Sequence, residues 1–473
     1  MFPFRNRISK KQLAILTVDI GILAVTPFLS AYIYYLIDLG TVIKIVYLKL
    51  EKLPFILNIL LFMTVFYVMD LYDFRKNYLL KKEILNILIA IFTSSVFSIF
   101  FFYLIGKPPL GRGIFLIYIS AVFLLTFGAR ACYSKLALTK YYKKKGIIIG
   151  AGKSGRKLYE MLAKNPLSGI EIICFLDKDP AKSGGDIGSV PVVHHDGSLR
   201  DIADKYKPNL IILAMPGEKY EGMLEDIIWC SYHGIEIKDL VAVHEEIEGR
   251  IPLRYVTEQW LLFCHMNLPK LYFHKIKRVV DILFSAGLLL VFLPVILAAI
   301  IAIKSESKGP VLFRQLRVGR EGKIFMLFKF RSMIDNAEKA SGAVWVCEKD
   351  PRITKVGSVM RFLRIDEIPQ LLNVIKGEMS LIGPRPERPE FVADFIKSPD
   401  NNGSAIPFYR ERFAVKPGIT GWAQVKYPYA ASYEESATKL EYDLYYIKNM
   451  SFILDIAIVL KTIKVVLFGR GAK

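Results

Sequence analysis

Residues 279–303 read VVDILFSAGLLLVFLPVILAAIIAI, and the course of the whole chain turns on how this run meets a membrane. By length alone it could cross a bilayer, since about 20 apolar residues suffice. A crossing here would carry everything after it to the other side. Two features predict another course. Lys275, Lys277 and Arg278 precede the run and Lys304 and Lys308 follow it, so both ends carry the cations that favour the cytoplasmic side. Pro294 lies near the middle, where its missing N–H and its ring bend a helix. The expectation is a re-entrant helical hairpin that enters and leaves on the cytoplasmic face and holds the residues after it at the interface.

Upstream, four apolar stretches are long enough to span: 12–37, 53–72, 84–105 and 113–138. The first follows FRNRISKK, but it is too long for a signal peptide and no small-residue cleavage site follows, so it is read as an anchor. Cations concentrate at the N-terminus, in DFRKNYLLKKE (73–83) and in KLALTKYYKKKG (135–146), which places both ends of this unit in the cytoplasm. No intramembrane ion pair stands out, because Asp19 and Asp70 are the acids nearest the centre of a span. The unit therefore reads as an anchor and dimer surface. Composition agrees: 53% of residues are hydrophobic and the net charge is +20, which suits a membrane protein with a polyanionic partner or an anionic surface. The five cysteines are scattered with no zinc spacing, and no H-E-x-x-H occurs, so the chain reads as carrying reduced thiols and no metal-finger site.

KKGIIIGAGKSGRKLYEML (144–162) reads as a strand, a glycine turn and a helix. Gly150, Gly152 and Gly155 match G-x-G-x-x-G, and Asp177 ends the next strand, IEIICFLD (170–177), where a dinucleotide ribose would be met. GKS at 152–154 imitates a P-loop, but Ile147 stands where its first glycine belongs. The apolar runs NLIILAMP (209–216) and GIEIKDLVAV (234–243) continue a doubly wound sheet. Two readings stay open: nucleotide binding through Gly150, Gly152, Gly155 and Asp177, or a retained structural or regulatory module. This half resembles membrane-anchored nucleotide-sugar dehydratases. Their Tyr-x-x-x-Lys pair occurs here only upstream of Gly150, as at Tyr78 and Lys82, which argues against that chemistry.

The last two hundred or so residues are basic and dense in motifs. In RQLRVGREGKIFMLFKFRSM (314–333) the segment IFMLFKF reads as a strand, so Lys329 and Arg331 are expected on the same side. Two cations aimed together suit phosphate recognition. RIDEIPQLLN (364–373) sets Asp366 and Glu367 beside Arg361 and Arg364; alone it could be a charged helix start. Arg352 and Arg385 add cations, and Pro384 and Pro386 stiffen the backbone around the latter. No helix-turn-helix, RNA-binding or zinc signature accompanies the charge, so nucleic acid is not the expected partner. Clustered cations with paired carboxylates point to phosphoryl chemistry on a diphosphate. The cations hold phosphate oxygens, one carboxylate with Mg²⁺ neutralises charge, and another attacks phosphorus.

KFRSM (329–333), LRIDEIPQLLNVIKGEMSLIGPRPE (363–387), VKPGITGWAQV (415–425) and YDLYYIKN (442–449) carry a resemblance. The chain resembles the bacterial polyprenyl-phosphate sugar-1-phosphate transferases, large monotopic phosphoglycosyl transferases that start exopolysaccharide, capsule and O-antigen repeat units. The resemblance implies a membrane α-helical bundle plus α/β parts. These are a four-helix transmembrane domain (1–142), a Rossmann-like parallel-sheet module (143–265) and a monotopic α/β catalytic domain (270–473) with its re-entrant helix at 279–303. It implies that Asp366 attacks the β-phosphorus of a UDP-sugar, releases UMP and passes the phosphosugar to undecaprenyl phosphate, with Glu367 helping to bind Mg²⁺. Lys329, Arg331, Arg352, Arg361, Arg364, Arg385, Gln424 and Asp443 would contact phosphate or substrate. A homodimer in the bacterial inner membrane, with its catalytic domain facing the cytoplasm, is also implied. The chain departs from many members in one respect: Leu293–Pro294 replaces a Ser-Pro pair, which keeps the kink and loses the serine's hydrogen bond. FILDIAIVLKTIKVVLF (452–468), interrupted by Asp455, Lys461 and Lys464, reads as an interfacial or packed helix. The rival from another class is a membrane-anchored nucleotide-sugar-sensing or assembly protein with an inactive transferase domain. UMP release distinguishes the two.

Overall fold

A computed structural model describes residues 10–37, 52–73, 76–106, 112–139, 143–194, 199–214, 222–264, 271–334, 352–396, 405–427 and 432–467. It divides into two compact units, Met1–Leu240 and Val241–Lys473.

The first unit opens with helices α1 (Lys10–Ile37), α2 (Lys52–Val68), α3 (Lys81–Leu104) and α4 (Arg112–Leu138). Three of them, α1, α3 and α4, are long and apolar enough to cross a membrane; α2 is a shorter apolar helix. Helix α1 packs along α4, and α2 against α3, around Phe62, Phe66, Ile87, Ile91, Tyr118 and Val122. The expectation of no intramembrane ion pair is corrected here. Arg130 of α4 bonds Asp19 of α1 at 2.6 Å, both fully buried, with the Tyr72 and Tyr78 rings 5.8 and 5.7 Å from the guanidinium. In the sequence Arg130 lies inside the apolar stretch 113–138 and is easily passed over, because its partner is 111 residues away.

The same unit contains β1 (Lys144–Ile149), α5 (Lys153–Lys164), β2 (Ile170–Asp177), β3 (Asp186–Ile187), β4 (Val190–His194), α6 (Leu199–Tyr206), β5 (Leu210–Leu213), α7 (Leu224–Tyr232) and β6 (Glu236–Asp239). The sheet order is β3-β4-β2-β1-β5-β6, parallel throughout except for the β3–β4 pair. Ile147, Ile148 and Ile149 are buried on both faces, as a central parallel strand requires. The glycine fingerprint has a steric reason. Gly150 turns at φ +111°, and a Cβ on Gly155 would lie 2.0 Å from the Gly150 carbonyl oxygen, so only glycine lets α5 start so close to β1. GIEIKDLVAV is a strand only as far as Asp239.

The second unit begins with α8 (Leu240–Glu248) and α9 (Glu258–Phe263). Val241, Ile251, Leu253 and Val256 enter one core with Trp422, Leu440, Leu444 and Ile447. Lys448 bonds Glu245 at 2.6 Å, Arg250 bonds Glu441 at 2.9 Å, and the Trp422 indole N–H donates to the Gly249 carbonyl at 2.8 Å. Residues 241–263, which the sequence reading gave to the Rossmann-like module, thus form a strap on this unit. Helices α10 (Leu271–Val291) and α11 (Leu293–Glu306) follow, bent by 61° at the break before Pro294. Leu283, Phe284, Leu290, Val291 and Ile301 stand exposed along the bent pair. The base of α10 is fixed by polar bonds: Lys277 to Asp455 at 2.6 Å, Arg278 to the Ile375 carbonyl at 2.6 Å, and Asp281 accepting from the Leu381 N–H at 3.2 Å. The cations that sequence reading used for topology are therefore also clamps.

Beyond α11 come an antiparallel ribbon, β7 (Leu312–Val318) with β8 (Ile324–Phe330), and helices α12 (Lys355–Phe362) and α13 (Gln370–Lys376). Then follow β9 (Ser380–Ile382), α14 (Pro389–Ile396), β10 (Gly418–Thr420), α15 (Trp422–Lys426), α16 (Tyr433–Asn449) and α17 (Phe452–Leu467), with β9 and β10 paired in parallel. Helix α17 buries Ala457 and Ile458 and exposes Phe452, Ile453, Ile456 and Val459, the one-sided pattern of a packed or interfacial helix.

Candidate active site

The acidic pair lies where three elements are tied together. Asn373 of α13, fully buried, accepts from the Phe328 N–H at 3.1 Å and donates to the Met326 carbonyl at 2.7 Å. It occupies the edge of β8 that β7 does not pair and docks α13 there. Lys329, the next residue of β8, is thereby set against the chain just before α13. That stretch turns sharply: Arg364 takes φ +58°, a conformation costing a non-glycine residue about 1 kcal/mol or more. Asp366 and Glu367 follow in a single 3₁₀ turn, both buried.

Their environments differ. Glu367 Oε1 receives Arg385 Nη2 at 2.9 Å, Lys329 Nζ at 3.2 Å and Arg364 Nη1 at 3.7 Å. Burial would raise its pKa, but Arg385, Lys329 and Arg364 overcome that and hold the carboxyl well below the usual range. Asp366 has no such grip. Its Oδ1 is buried without a hydrogen-bond partner, and burial pushes its pKa up against the pull of Lys329. Burial likewise makes the Lys329 ammonium easier to deprotonate, with Glu367 acting to keep its proton. One acid is locked as a carboxylate and the other is a desolvated carboxyl with an open oxygen. An attacking group needs the second environment, and a charge organiser needs the first.

The other expected residues separate into three groups. Arg364 and Arg385 meet Glu367 directly. Arg361 lies close enough for its charge to act on Asp366, while its Nε donates to Ser332 Oγ at 2.9 Å. Arg352 is half-buried, and its carbonyl accepts from the Ile334 N–H at 2.9 Å. Arg331 is corrected: β8 ends at Phe330, so the alternation that would pair it with Lys329 ends too. Its guanidinium bonds the Lys308 carbonyl at 3.0 Å and the Ser307 carbonyl and hydroxyl at 2.9 Å, tying the ribbon to the segment after α11. Gln424 donates to the Ile419 carbonyl at 2.8 Å and bridges the turn before α15. Asp443 is almost fully buried and pairs with Arg412 at 2.9 Å; burial lifts its pKa to about 6 even against that guanidinium.

Sequence reasoning missed Asn373, Arg412 and Lys439. Asn373 lies inside a quoted motif, where a buried asparagine among leucines was the available signal. Arg412 falls three residues before the next motif, in a stretch that reads as a solvated charge run. Lys439, one turn before Asp443 on α16, is a largely desolvated cation whose charge is felt at Glu387, Arg385, Arg412 and Asp443.

In the other unit, Gly150, Gly152 and Gly155 form the expected loop, with Gly152 at the start of α5. Asp177 accepts from the Ala151 N–H at 2.9 Å and the Asp179 N–H at 3.0 Å, so both its oxygens bond backbone around the loop.

Comparison with known proteins follows the same division. Residues 272–469 match the bacterial sugar transferase family, and residues 68–237 match a CoA-binding domain family. A UDP-N-acetylgalactosamine-undecaprenyl-phosphate N-acetylgalactosaminephosphotransferase of Aeromonas hydrophila is 44% identical over 52% of this chain and 55% of its own length. The UDP-galactose-lipid carrier transferase of Erwinia amylovora is 31% identical over 78% of each chain. The undecaprenyl-phosphate galactose phosphotransferase of Salmonella typhimurium is 32% identical over 71% of this chain and 72% of its own. The family match over 272–469 contains the acidic pair, the last two relatives align with more than two thirds of the chain, and with them the chain belongs to the bacterial polyprenyl-phosphate sugar-1-phosphate transferase family.

Proposed function

We propose that this protein transfers a sugar 1-phosphate from a UDP-sugar to undecaprenyl phosphate, with the phosphosugar held covalently on Asp366 between the two half-reactions. The observation that carries the reading is the asymmetry of the acidic pair. Asp366 keeps a buried, partnerless oxygen beside a Glu367 gripped by three cations. In the first step an Asp366 oxygen bonds the β-phosphorus, the bond from that phosphorus to the bridging oxygen breaks, and UMP leaves with the bonding pair. In the second, an oxygen of undecaprenyl phosphate bonds the same phosphorus and expels the Asp366 carboxylate. The products are UMP and a sugar diphospho-undecaprenol. Lys329, Arg385 and Arg364 hold phosphate oxygens while charge shifts between them.

Among the described residues no cluster of three or more acids, histidines or cysteines could hold a metal ion. Mg²⁺ fits in the other common mode, one or two carboxylates together with substrate phosphates and water. Glu367 has a carboxylate oxygen for it, because Oε1 takes all three cation contacts. When bound, Mg²⁺ would supply further neutralisation of the pyrophosphate.

In this reading the bent pair α10–α11 is the re-entrant hairpin in the inner membrane, the catalytic unit faces the cytoplasm, and the protein works as a homodimer starting a polysaccharide repeat unit. Cysteines placed near 275 and 308 would both be shielded from an impermeant reagent outside intact cells; labelling at the second alone means a true span. The chemical test is direct. Purified protein given a panel of UDP-sugars without lipid phosphate should release UMP and gain the mass of one phosphosugar on the peptide containing Asp366. An adduct on another residue, or no UMP from any sugar, refutes the proposal.

A further inference from the structure

Pro384 and Pro386 have no N–H, so the segment around Arg385 can be fixed from outside mainly through its carbonyls. Four consecutive carbonyls are in fact held, each from a different place. The Pro384 oxygen accepts from the Gly418 N–H at 2.8 Å and the Glu387 oxygen from the Val318 N–H at 2.9 Å. Between them, the Arg385 oxygen accepts from Arg412 Nη2 at 2.9 Å and the Pro386 oxygen from Arg317 Nη1 at 3.0 Å. Backbone donors hold the ends, and two guanidinium groups hold the middle.

Both guanidinium groups are themselves braced. Arg412 is 7% exposed; the same Nη2 meets Asp443 Oδ2 at 2.9 Å, and Nη1 donates to the Tyr409 hydroxyl. Arg317 donates to Gln315 Oε1 at 2.6 Å and lies 3.7 Å from Glu387. The Arg385 side chain, leaving from the centre of this cradle, ends 2.9 Å from Glu367. The proline after it restricts Arg385 to extended conformations. The backbone freedom that remains is rotation of the two peptide planes whose oxygens Arg412 and Arg317 hold, while the far end of the side chain is held at Glu367.

We propose that Arg412 and Arg317 are positioning residues for the transfer reaction. They touch no substrate and fix, through the carbonyls of residues 385 and 386, the guanidinium of Arg385 that acts at Glu367 and the transferred phosphate. Asp443 then serves as the counter-ion that keeps Arg412 in place, which gives this acid a role other than the substrate contact expected from sequence. The inference rests on the proposed function.

A double-mutant cycle tests it, using the full chain in nanodiscs and radiolabelled UMP release. Arg412→Lys and Arg317→Lys keep the charge and lose the planar fork. Each should lower kcat by about 10–10²-fold, the scale on which small misplacements act, with KM for the UDP-sugar changed by less than about threefold. In an Arg385→Ala background the same substitutions should change kcat by less than about twofold, because the group they position is gone. Losses that multiply in that background, or single substitutions that raise KM and leave kcat alone, overturn the positioning role. If Arg412→Lys does not accumulate as folded protein, Arg317→Lys, at the neighbouring carbonyl, decides by the same outcomes. A wild type that releases no UMP from any UDP-sugar ends the functional reading and the positioning role together; an active wild type with multiplying losses ends the positioning role alone.

Discussion

Replace Asp366 by Asn and, separately, Glu367 by Gln: each change removes one negative charge, and the structure predicts opposite effects on stability. The folded chain holds the Asp366 pKa above its ordinary 3.8 because the carboxyl is buried. Near neutral pH its ionisation therefore favours the unfolded chain, and Asn, with the same shape and no charge, removes that penalty. Stability should rise while UMP release falls to background. Glu367 is the reverse case. Its folded pKa lies below its ordinary 4.5, so it contributes stability above that pH and loses it as the pH falls through the depressed value. Gln leaves Lys329 and Arg385 without their carboxylate. Breaking a buried pair costs about 3–5 kcal/mol, and the partly open Arg385, 34% exposed, sets the lower end, about 3 kcal/mol. For a unit of this size about 1 kcal/mol moves Tm by roughly 2–4 °C, so Asn at 366 should raise Tm slightly and Gln at 367 should lower it by about 6–12 °C. Turnover by Glu367→Gln should fall about 10²–10³-fold and recover in part with added Mg²⁺. Thermal unfolding followed by tryptophan fluorescence, with UMP release on the same samples, measures both. Turnover by Asp366→Asn, a fall in its Tm, or an unchanged Tm in Glu367→Gln would refute the division of roles.

Three further outcomes follow from packing. Asn373→Leu keeps the branching and the number of heavy atoms but strands the Phe328 N–H and Met326 carbonyl, costing about 2–3 kcal/mol, and should lower kcat because Lys329 loses its register; an unchanged Tm sinks the clamp. A chain starting at Val241 should keep UMP release in detergent, whereas one starting at Leu271 removes Ile251, Leu253 and Val256 from the core, about 1.5–3 kcal/mol each, and should aggregate; equal behaviour of the two would show that the strap is dispensable. Asp19→Asn leaves Arg130 unpaired inside the bundle and should destabilise it by about 3–5 kcal/mol by protease protection, with much of the loss recovered when Arg130→Gln is added; a fully additive double variant would show that the pair does not couple.

What the sequence makes legible here is what depends on neighbouring residues. The three isoleucines before Gly150 are buried, and a β-carbon at Gly155 has no room, so a local pattern was enough to find the sheet and its glycine turn. The adjacent acids and the stiff Pro-Arg-Pro segment were legible for the same reason, and the structure brings Arg385 to Glu367 at 2.9 Å. Partnerships across distance were not. Arg130 gives no sign of Asp19, 111 residues away, and Arg250 gives none of Glu441, 191 residues away. The placing of Arg331 beside Lys329 came from a strand rule carried one residue past the end of the strand. The strap escaped notice because the apolar spacing of Ile251, Leu253 and Val256 is compatible with either unit until the surface it covers is known.

The arginines around the site make two kinds of bond, and the difference bears on why the region is so basic. Arg364 and Arg385 face the Glu367 carboxylate, and an ion pair cancels part of a cation's field. Arg278 and Arg331 bond carbonyls of the chain, those of Ile375 and of Ser307 and Lys308, while Arg317 bonds the Pro386 carbonyl and also lies 3.7 Å from Glu387. A carbonyl satisfies a guanidinium N–H without neutralising its charge. These side chains frame the site mechanically, joining α10 to α13, β7 to the Arg385 segment, and β8 to the end of α11, and they still contribute positive potential there. An aspartate or a backbone N–H could not do both. Arginine suits that double demand, because its planar fork presents several donors in fixed directions and stays charged, as where Arg331 holds the Ser307 and Lys308 carbonyls together. A site built this way is stiff before an anion arrives and attractive to it when it does, which reconciles the buried pair of acids with the basic stretch of chain that surrounds it.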